Sequence, residues 1–356
     1  MVTTKTTAVH RRVVNLCREN SDSRTLRAAV LEEVQRLVAF EAYAWLLTDP
    51  ETGVGSAPLA SVPDLARLPE LIRLKYATPV NRWTALKQNT CTTLAEATAG
   101  DLSRSLLWKN LLSGYGVTDI ASIVFRDQFG YWGFLDLWRL GGSPAQFTEP
   151  EKAFLASLAA DLTVALRGCQ AGTFTASSPP LAVSDPLVLL LSCQLELLDQ
   201  TPRTDAHLRL LLPTDPGVPP VPAAAYNVAA QLLALEKGVD NGPPEARAHL
   251  AGAEWITLRA ARLGGASPSG AGTIAVTIEP IRTRARLELY GRAAGLTPRE
   301  RELLHQLARG TSTRQIARDM QLSPHTVQDH LKSAFTKTNT GSRSNLLARA
   351  LGTESD

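Results

Sequence analysis

Cysteine is scarce in this sequence, and each cysteine stands alone. The 356 residues contain Cys17, Cys91, Cys169 and Cys193, and no pair has the CxxC spacing of a zinc or redox motif. Neither Cys91 nor Cys193 has a basic residue beside it that would lower the pKa of its thiol. We therefore expect reduced, structural thiols rather than a disulfide framework or a redox switch.

Long apolar runs are also missing. No uncharged apolar run reaches the roughly 18 residues that a membrane-spanning helix needs. The N-terminal sequence MVTTKTTAVHRRVV lacks the apolar core of a secretory signal. With 44% hydrophobic and 20% charged residues, the composition is typical of a globular protein, and we expect a cytoplasmic protein without membrane contact.

Patterns that indicate catalysis or metal binding are absent as well. The six histidines show no metal-ligand spacing, and the acidic residues form no nucleophile–base pairing. The N-terminal half does not open with a strand leading into paired carboxylates, which a phosphoacceptor domain would need. We expect no enzymatic activity and no metal site, and the sequence identifies no cofactor.

Positive charge is concentrated at the C-terminus. Residues 292–356, here called the tail, contain ten Lys and Arg against six Asp and Glu, whereas the remaining residues contain 27 against 28. The whole net charge of +3 is thus the sum of +4 in the tail and −1 elsewhere. This asymmetry favours a polyanion-binding module attached to a nearly neutral body.

Residues 9–170 alternate between helical and strand-like patterns. An amphipathic stretch at 26–40 precedes the β-rich runs AYAWLLT, IASIVFR and YWGFLDLWRL, with a hairpin turn expected at 127–130. A capped amphipathic helix follows at 150–167. Helices on either side of an antiparallel sheet predict an α+β domain of the kind used by sensors.

A second α+β domain is predicted after a linker. Residues 171–182 are small, polar and almost uncharged, which is typical of a linker. Residues 183–281 contain a helix at 226–237 and later runs rich in β-branched residues, EWITLRAARL and TIAVTIEPI. A helix at 282–294 is then expected to couple this domain to the tail.

The tail is punctuated by helix start and stop signals. Thr297 and Glu300 form a capping box, Gly310 ends that helix, and Ser312 and Ser323 begin two more. Proline occupies the first helical position after Thr297 and again after Ser323. Short helices joined by tight turns predict an all-α helix-turn-helix domain at 295–356.

Helical spacing divides the third of these helices into two faces. The apolar stripe consists of Val327, Leu331, Ala334 and Phe335. The opposite face carries His325, Gln328, Asp329, Lys332 and Thr336. In a major groove Gln can bond adenine, Asp can accept from cytosine, and Lys can reach guanine or phosphate.

Four further residues are candidates for phosphate contacts. Thr326 lies in the first turn of the third helix, where backbone N–H groups and the helix dipole favour an anion. Arg314, Lys337 and Arg343 could bind phosphates from neighbouring positions and so set the register of the domain on DNA.

The tail resembles the LuxR/FixJ-type helix-turn-helix. The resemblance rests on LTPRE, Gly310, the pair IA at 316–317, LSPHTVQDH at 322–330 and SR at 342–343. It implies DNA binding as a homodimer, a fourth helix at 343–351 that contributes to the dimer interface, and base contacts from Gln328, Asp329 and Lys332. Asp329 departs from the family pattern, in which a neutral or basic residue is more usual.

The two upstream segments resemble sensor domains. The run YWGFLDLWRL with FTEPEKAFLASLAADLTVALR is similar to the end of a GAF domain, without the NKxFxxxDE pattern of cyclic-nucleotide binders. Residues 183–281 are similar to a degenerate PAS-like module. The fold class implied is multidomain α+β: a GAF-like domain, a PAS-like domain and an all-α helix-turn-helix domain.

Five of the six tryptophans lie in the GAF-like segment. Trp45, Trp83, Trp108 and Trp132 are candidates for an aromatic-lined pocket that binds a small molecule, with ordinary core packing as the alternative. The sequence favours a cytoplasmic transcription regulator controlled by its upstream domains. Two alternatives stay open: an upstream scaffold that binds a protein partner, and an upstream domain with enzymatic activity.

Overall fold

The computed structural model describes residues 2–141, 145–174, 187–202, 204, 223–249, 255–264 and 272–352. The helices are α1 (Val2–Glu19), α2 (Ser23–Gln35), α3 (Leu68–Ala77), α4 (Leu94–Ala97), α5 (Leu106–Asn110), α6 (Glu149–Gly172), α7 (Ala223–Glu236), α8 (Thr283–Ala293), α9 (Pro298–Ala308), α10 (Thr313–Asp319), α11 (Pro324–Thr338) and α12 (Arg343–Leu351). The strands are β1 (Ala42–Thr48), β2 (Gly55–Ser61), β3 (Cys91–Thr93), β4 (Val117–Asp127), β5 (Gly130–Leu140), β6 (Leu187–Leu191), β7 (Leu197–Gln200), β8 (Glu245–His249), β9 (Trp255–Arg262) and β10 (Ile274–Pro280).

The first sheet has the strand order β2-β1-β5-β4-β3, and all its neighbours are antiparallel. It belongs to the first domain, defined as the described residues up to 174. Its long strands β4 and β5 are joined by the hairpin turn expected at 127–130. Gly130 is required in that turn, because a Cβ there would lie 2.2 Å from the carbonyl oxygen of Pro50.

Both faces of this sheet are covered by helices, which explains why β4 and β5 are almost continuously buried. One face packs Trp45, Phe125 and Leu135 against α1, α2 and α6. The opposite face carries Phe134 and Trp138 beneath α3 and α5. The predicted helix at 150–167 is present but continues to Gly172, because Cys169 is still buried in the core.

The second sheet has the order β7-β6-β10-β9-β8, again wholly antiparallel. It belongs to the second domain, defined as the described residues of 187–281. If the strands of each sheet are numbered from one to five along the chain, both sheets have the spatial order 2-1-5-4-3. In both, a helix follows the second strand and precedes the third in sequence: α3 in the first sheet and α7 in the second. Residues 175–186 are outside the described residues, so most of the predicted linker cannot be compared with the structure.

Helix α7 joins the two domains. Every residue from Ala223 to Ala234 is buried, because the helix packs on its own sheet and also on β2 and α3 of the first domain. Such a helix, apolar on all sides, is found where it has neighbours all round. Ile72 and Tyr76 of α3 therefore share one hydrophobic cluster with the core of the second domain.

Two ion pairs cross this junction beside α7. Arg247 Nε lies 2.6 Å from Asp49 Oδ2, and Arg82 Nε lies 2.7 Å from Asp240 Oδ2. Burial alone would raise the pKa of the Asp49 carboxyl, but Arg247 and two backbone N–H groups lower it instead. The first and second domains are thus held together by a buried apolar helix and by buried charges with partners.

The tail follows directly from the second sheet. Helix α8 leads from β10 to four short helices, α9 to α12, which pack on one another and on α8. Helix α8 also contacts α6 of the first domain. Among the described residues, no helix is both long and apolar enough to span a membrane.

Candidate nucleic-acid interface

Side-chain caps fix where the tail helices begin. Thr297 Oγ1 accepts from Glu300 N at 3.3 Å, and Glu300 Oε2 accepts from Thr297 N at 2.7 Å, which confirms the predicted capping box. Ser323 Oγ accepts from Thr326 N at 3.0 Å at the start of α11. Local side-chain chemistry therefore sets the register of the helix whose outer face is the candidate interface.

Ser312 begins α10 as predicted, but without the reciprocal hydrogen bond of a capping box. Ser312 Oγ accepts from Gln315 N at 3.3 Å, as expected. The Gln315 side chain does not return to Ser312, however, and instead donates to Asp319 Oδ1 at 2.7 Å, one helical turn further on. A carboxylate four residues away is the stronger acceptor for this amide.

The inner face of α11 forms the core of the tail. Val327, Leu331 and Ala334 are buried, and Phe335 packs against them, which confirms the predicted apolar stripe. These side chains contact α9 and α10. The helix ends at Asn339, whose left-handed φ of 49° closes the last turn.

The outer face of α11 is polar and open. Its exposed residues are His325, Gln328, Asp329, Lys332 and Thr336. The side chains of His325 and Asp329 are 85% and 57% exposed, and their nearest polar atoms lie 3.9 Å apart. The structure thus brings the predicted base-reading residues together on one exposed helix face.

The predicted phosphate contacts divide into two groups. Arg314 is exposed at the start of α10, and Thr326 lies in the first turn of α11. Lys337 Nζ is instead bonded to both carboxylate oxygens of Glu300, at 3.0 and 2.7 Å, and Arg343 donates to Thr313 Oγ1 at 2.6 Å. Lys337 therefore joins α11 to α9, and Arg343 joins α12 to α10.

Glu300 is a positioning residue that sequence reasoning saw only as a helix cap. Its side chain is 3% exposed, and besides Lys337 it accepts from Ser333 Oγ at 2.6 Å. Burial would raise the pKa of this carboxyl, but the hydrogen bonds from Lys337 and Ser333 lower it. Because Ser333 and Lys337 both lie on α11, Glu300 fixes α11 to α9.

A charge cluster on α8 connects it to α9. Glu288 lies 2.9 Å from Arg292, 3.1 Å from Arg301 and 3.5 Å from the ring of His305. The hydrogen bond from His305 and the charges of the two arginines lower the pKa of Glu288 to about 2, although burial alone would raise it. The spacing of Glu288 and Arg292 is a sequence signal for part of this cluster.

The tail and α8 meet the upstream domains through a shared hydrophobic cluster and through polar and aromatic contacts beside it. Arg292 Nη1 donates to the carbonyl oxygen of Phe129 at 3.0 Å. The ring of Phe174, just after α6, stacks on Trp255 of the second domain with centroids 5.3 Å apart. The same ring meets Tyr290 of α8 edge-on at 5.2 Å. Phe174 is therefore common to both domains and to the helix that leads into the tail.

The tryptophans proposed to line a pocket are dispersed. Trp45 stacks on Phe125, Trp83 stacks on Phe134, and Trp132 donates to Asp127. The fourth, Trp108, is half-buried and donates to the carbonyl oxygen of Val117. They lie in three separate hydrophobic clusters, and none of them lines either of the two cavities considered below.

The smaller cavity, of about 50 Å³, lies between the first sheet, α3 and α7. Its wall includes the ion pair of Lys75 and Asp136, at 2.6 Å. It also includes the indole nitrogen of Trp138 and the side-chain amide of Asn227, which are buried without a partner among the described residues. Sequence reasoning missed Asn227, one of two buried amides in this alanine-rich helix; the other, Gln231, is bonded to Arg82 and Asp240.

One cysteine has a basic neighbour after all. Arg262 Nη1 lies 3.1 Å from Cys193 Sγ. Burial would raise the pKa of this thiol, but a backbone hydrogen bond at Gly272 and the Arg262 guanidinium lower it. The expectation from sequence was wrong on this point, because Arg262 comes from β9, far along the chain. Burial raises the pKa of Cys91 to about 12, which suits a structural thiol.

Comparison with known proteins assigns the tail. Residues 294–350 match the family model for bacterial regulatory proteins of the luxR family. The tail is a LuxR-family helix-turn-helix domain. The match covers α9 to α12 apart from the final residue of α12. It therefore includes the exposed face of α11 and Glu300 of α9, which holds α11 in place.

Two curated relatives share parts of the chain. The transcriptional regulatory protein FixJ of Azorhizobium caulinodans is 30% identical over 157 residues, which are 44% of this chain and 64% of FixJ. The probable HTH-type transcriptional regulator GfsR of Streptomyces halstedii is 44% identical over 57 residues, 16% of this chain and 24% of GfsR. The matches thus span less than two thirds of either relative, and the second has the length of the LuxR-family domain.

A similar solved structure is that of SdiA of Escherichia coli. It covers 97% of this chain and 96% of SdiA, with 11% sequence identity and a TM-score of 0.35. Likeness at this level gives no support for a particular domain arrangement. The LuxR-family domain is the part of the chain to which the comparisons give a function, in DNA-binding transcription regulation.

Proposed function

We propose that this protein is a sequence-specific transcription regulator that inserts α11 into the major groove of DNA under the control of its first and second domains. One observation carries the proposal: in a LuxR-family domain, the apolar face of α11 is packed in the core and its polar face is exposed to solvent. The concentration of positive charge in the same 65 residues supports it independently.

Gln328, Asp329 and Lys332 are the proposed base-reading residues, with His325 beside them. They share one exposed face over two turns of helix, the arrangement with which a recognition helix meets base edges. Arg314 and Thr326 are proposed to bind phosphates at the ends of α10 and α11. Lys337 and Arg343 contribute positive charge there while their side chains hold the helices in place.

The protein is further proposed to act as a homodimer. Two LuxR-family domains related by a twofold axis would place two copies of α11 in successive major grooves, and α12 is the proposed contact between them. The upstream domains are proposed to be GAF-like and PAS-like sensors. Their common strand order, the cavity beside Asn227 and the contacts of α8 with α6 support that assignment.

The proposal is tested first by mapping the DNA fragments that the full-length protein binds, then by titrating one of them. Lys332→Ala is expected to weaken binding by about 1–3 kcal/mol, concentrated at one base pair if Lys332 reads a guanine. If Lys332 contacts phosphate instead, the loss is uniform across sequences and the dependence on salt becomes shallower by about one unit.

Lys87→Ala is the matched control, because Lys87 is an exposed lysine of the first domain and its removal changes the net charge equally. Its DNA affinity is expected to equal that of the unaltered protein. Equal affinities of Lys332→Ala and Lys87→Ala for every DNA sequence would exclude both roles of Lys332. Absence of any sequence preference in the unaltered protein would overturn the proposed function.

A further inference from the structure

A second and larger cavity lies where the first and second domains meet. Its volume is about 310 Å³, and ligand pockets of proteins occupy roughly 300–1,000 Å³. Its walls come from the start of α2, the end of α6, strands β1 and β2, the start of α7 and strands β8 and β9. The cavity opens to solvent beside Asp22 and Arg24, which are exposed.

Arg27 in the wall of this cavity is a buried charge without an acidic partner. The residue is 2% exposed, and its guanidinium donates to the carbonyl oxygens of Trp45 at 2.7 Å, Ala57 at 2.9 Å and Ser23 at 3.1 Å. None of the ion pairs among the described residues includes Arg27. Buried charges in proteins are normally paired with a charge of opposite sign.

Arg27 is nevertheless charged at neutral pH. Burial and the nearby Arg24 lower the pKa of its guanidinium to about 10, which still leaves it protonated. Within the protein this charge is stabilised by three backbone carbonyls and by the attraction of Asp22, which forms no ion pair with it. An anionic group there would supply the partner that the protein itself does not.

The other charges around the cavity leave its potential positive. Asp22 is the acidic residue of the wall; its carboxylate caps α2 at Thr25 N, 2.7 Å away, and attracts Arg27, so it offsets one of the two positive charges of Arg24 and Arg27. Arg247 is neutralised by Asp49. Arg24 and the N-terminus of the 13-residue helix α2 add positive potential beside Arg27.

The wall formed by the second domain and β1 is largely apolar. Its apolar residues are Leu47, Ala223, Ala224, Ala248 and Trp255, and they lie beside Thr48, Arg247 and His249. A cavity with one cationic end and one apolar end fits a ligand with an anionic head and an apolar body.

We propose that this cavity binds a small organic anion, with its carboxylate or phosphate group at Arg27 and Arg24 and its apolar part against Ala223, Ala224 and Trp255. The proposal deepens the proposed function, because it supplies a ligand class for the upstream domains. Trp255 stacks on Phe174, which contacts Tyr290 of α8, so the occupied cavity would adjoin the helix that leads into the LuxR-family domain.

The test is isothermal titration calorimetry on the full-length protein, without DNA. The probes are benzoate, phenyl phosphate, inorganic phosphate and benzamide, the uncharged analogue of benzoate. Benzoate, phenyl phosphate or both are expected to bind, benzamide is not, and inorganic phosphate binds more weakly than phenyl phosphate. Preference for benzoate or for phenyl phosphate identifies the head group as carboxylate or phosphate.

Variants localise the binding. Arg24→Gln removes an exposed charge at the mouth and is expected to weaken binding about tenfold, the effect of one charge-assisted hydrogen bond. Arg27→Gln is expected to abolish binding of the anion. If Arg27→Gln does not fold, the comparison of Arg24→Gln with the unaltered protein still tests whether the anion binds in this cavity. Arg18→Gln, an exposed arginine of α1 outside the cavity, makes the same change of charge and is expected to bind normally.

Three results would overturn the site: binding of none of the anions, equal binding of benzamide and benzoate, or equal affinity of Arg24→Gln and Arg18→Gln. Inorganic phosphate binding as tightly as phenyl phosphate would overturn the apolar half of the proposal. A protein that binds the anion normally but shows no preference among DNA sequences would contradict the proposed function and leave the site standing.

Discussion

The two junctions of this molecule are built differently. Between the first and second domains lie helix α7, buried from Ala223 to Ala234, the buried pair Asp49–Arg247 and the pair Arg82–Asp240. Between these domains and the LuxR-family domain lie a shared hydrophobic cluster that includes Phe174 and Tyr290, the hydrogen bond from Arg292 to Phe129 and the partly exposed charges around Glu288. The first junction thus contains a buried charged pair whose members need each other, whereas the charges at the second can be solvated when that interface rearranges.

The largest effect is expected from breaking the first junction at its buried ion pair. Asp49→Ala leaves Arg247 buried without its main partner, which costs about 3–5 kcal/mol of unfolding free energy. Glu51→Gln is the control, because Glu51 meets the same guanidinium from a half-exposed position and is worth less than about 1 kcal/mol. Chemical denaturation measures both, and equal losses would contradict the buried character of this junction.

Overpacking α7 should also damage the first junction. Ala229 is fully buried in that helix, and Ala229→Leu is expected to cost about 1–3 kcal/mol, because neither domain can move away without exposing apolar surface. Ala153→Leu places the same side chain on the exposed face of α6 and should leave the thermal unfolding temperature almost unchanged. A tolerated leucine at 229 would show that the domains separate readily.

The second junction should respond in DNA binding more than in stability. Phe174→Ala removes two aromatic contacts to the second domain and α8, and we expect about two- to tenfold tighter DNA binding of the ligand-free protein as the LuxR-family domain is released. Phe40→Ala removes a ring that packs edge-on to Tyr43 inside the first domain. This control should lower stability and leave DNA affinity unchanged, and the same pattern for Phe174→Ala would refute the coupling.

The smallest effect is expected in the pH dependence of stability at the second junction. Glu288 has its pKa lowered from 4.5 to about 2, so the stabilisation it provides is complete above pH 4.5 and is lost as the pH falls towards 2. Glu288→Gln should flatten the stability profile in that window. Glu302→Gln, which removes an exposed carboxylate paired with Arg299, should not. An unchanged profile in Glu288→Gln would show that the cluster contributes nothing to the junction.

Sequence predicted the parts of the molecule that depend on local interactions. The caps at Thr297 and Ser323, the buried stripe of α11 and the 127–130 hairpin are all decided by residues within a few positions of one another. Helix α7 was expected at 226–237 and occupies Ala223–Glu236, a shift of the size expected at helix ends.

What sequence could not predict depends on contacts across long stretches of chain. Lys337 meets Glu300 across 37 residues, Arg262 meets Cys193 across 69, and Arg247 meets Asp49 across 198. The tryptophans suggested a single pocket, whereas the folded chain distributes them among three cores and none of the four lines the two cavities described above. No local sequence pattern predicts either cavity, because each is bounded by elements of two domains.

The burial of α7 on all sides has a consequence for how the protein is made. During synthesis the first domain emerges from the ribosome well before Ala223, so Ile72 and Tyr76 lack the cover of α7 for roughly 7–30 seconds at about 5–20 residues per second. Conversely, a second domain produced alone would present the first-domain side of α7 to water, where an apolar surface promotes aggregation. We therefore expect each of the two domains to aggregate more readily when it is produced alone than when they are produced together.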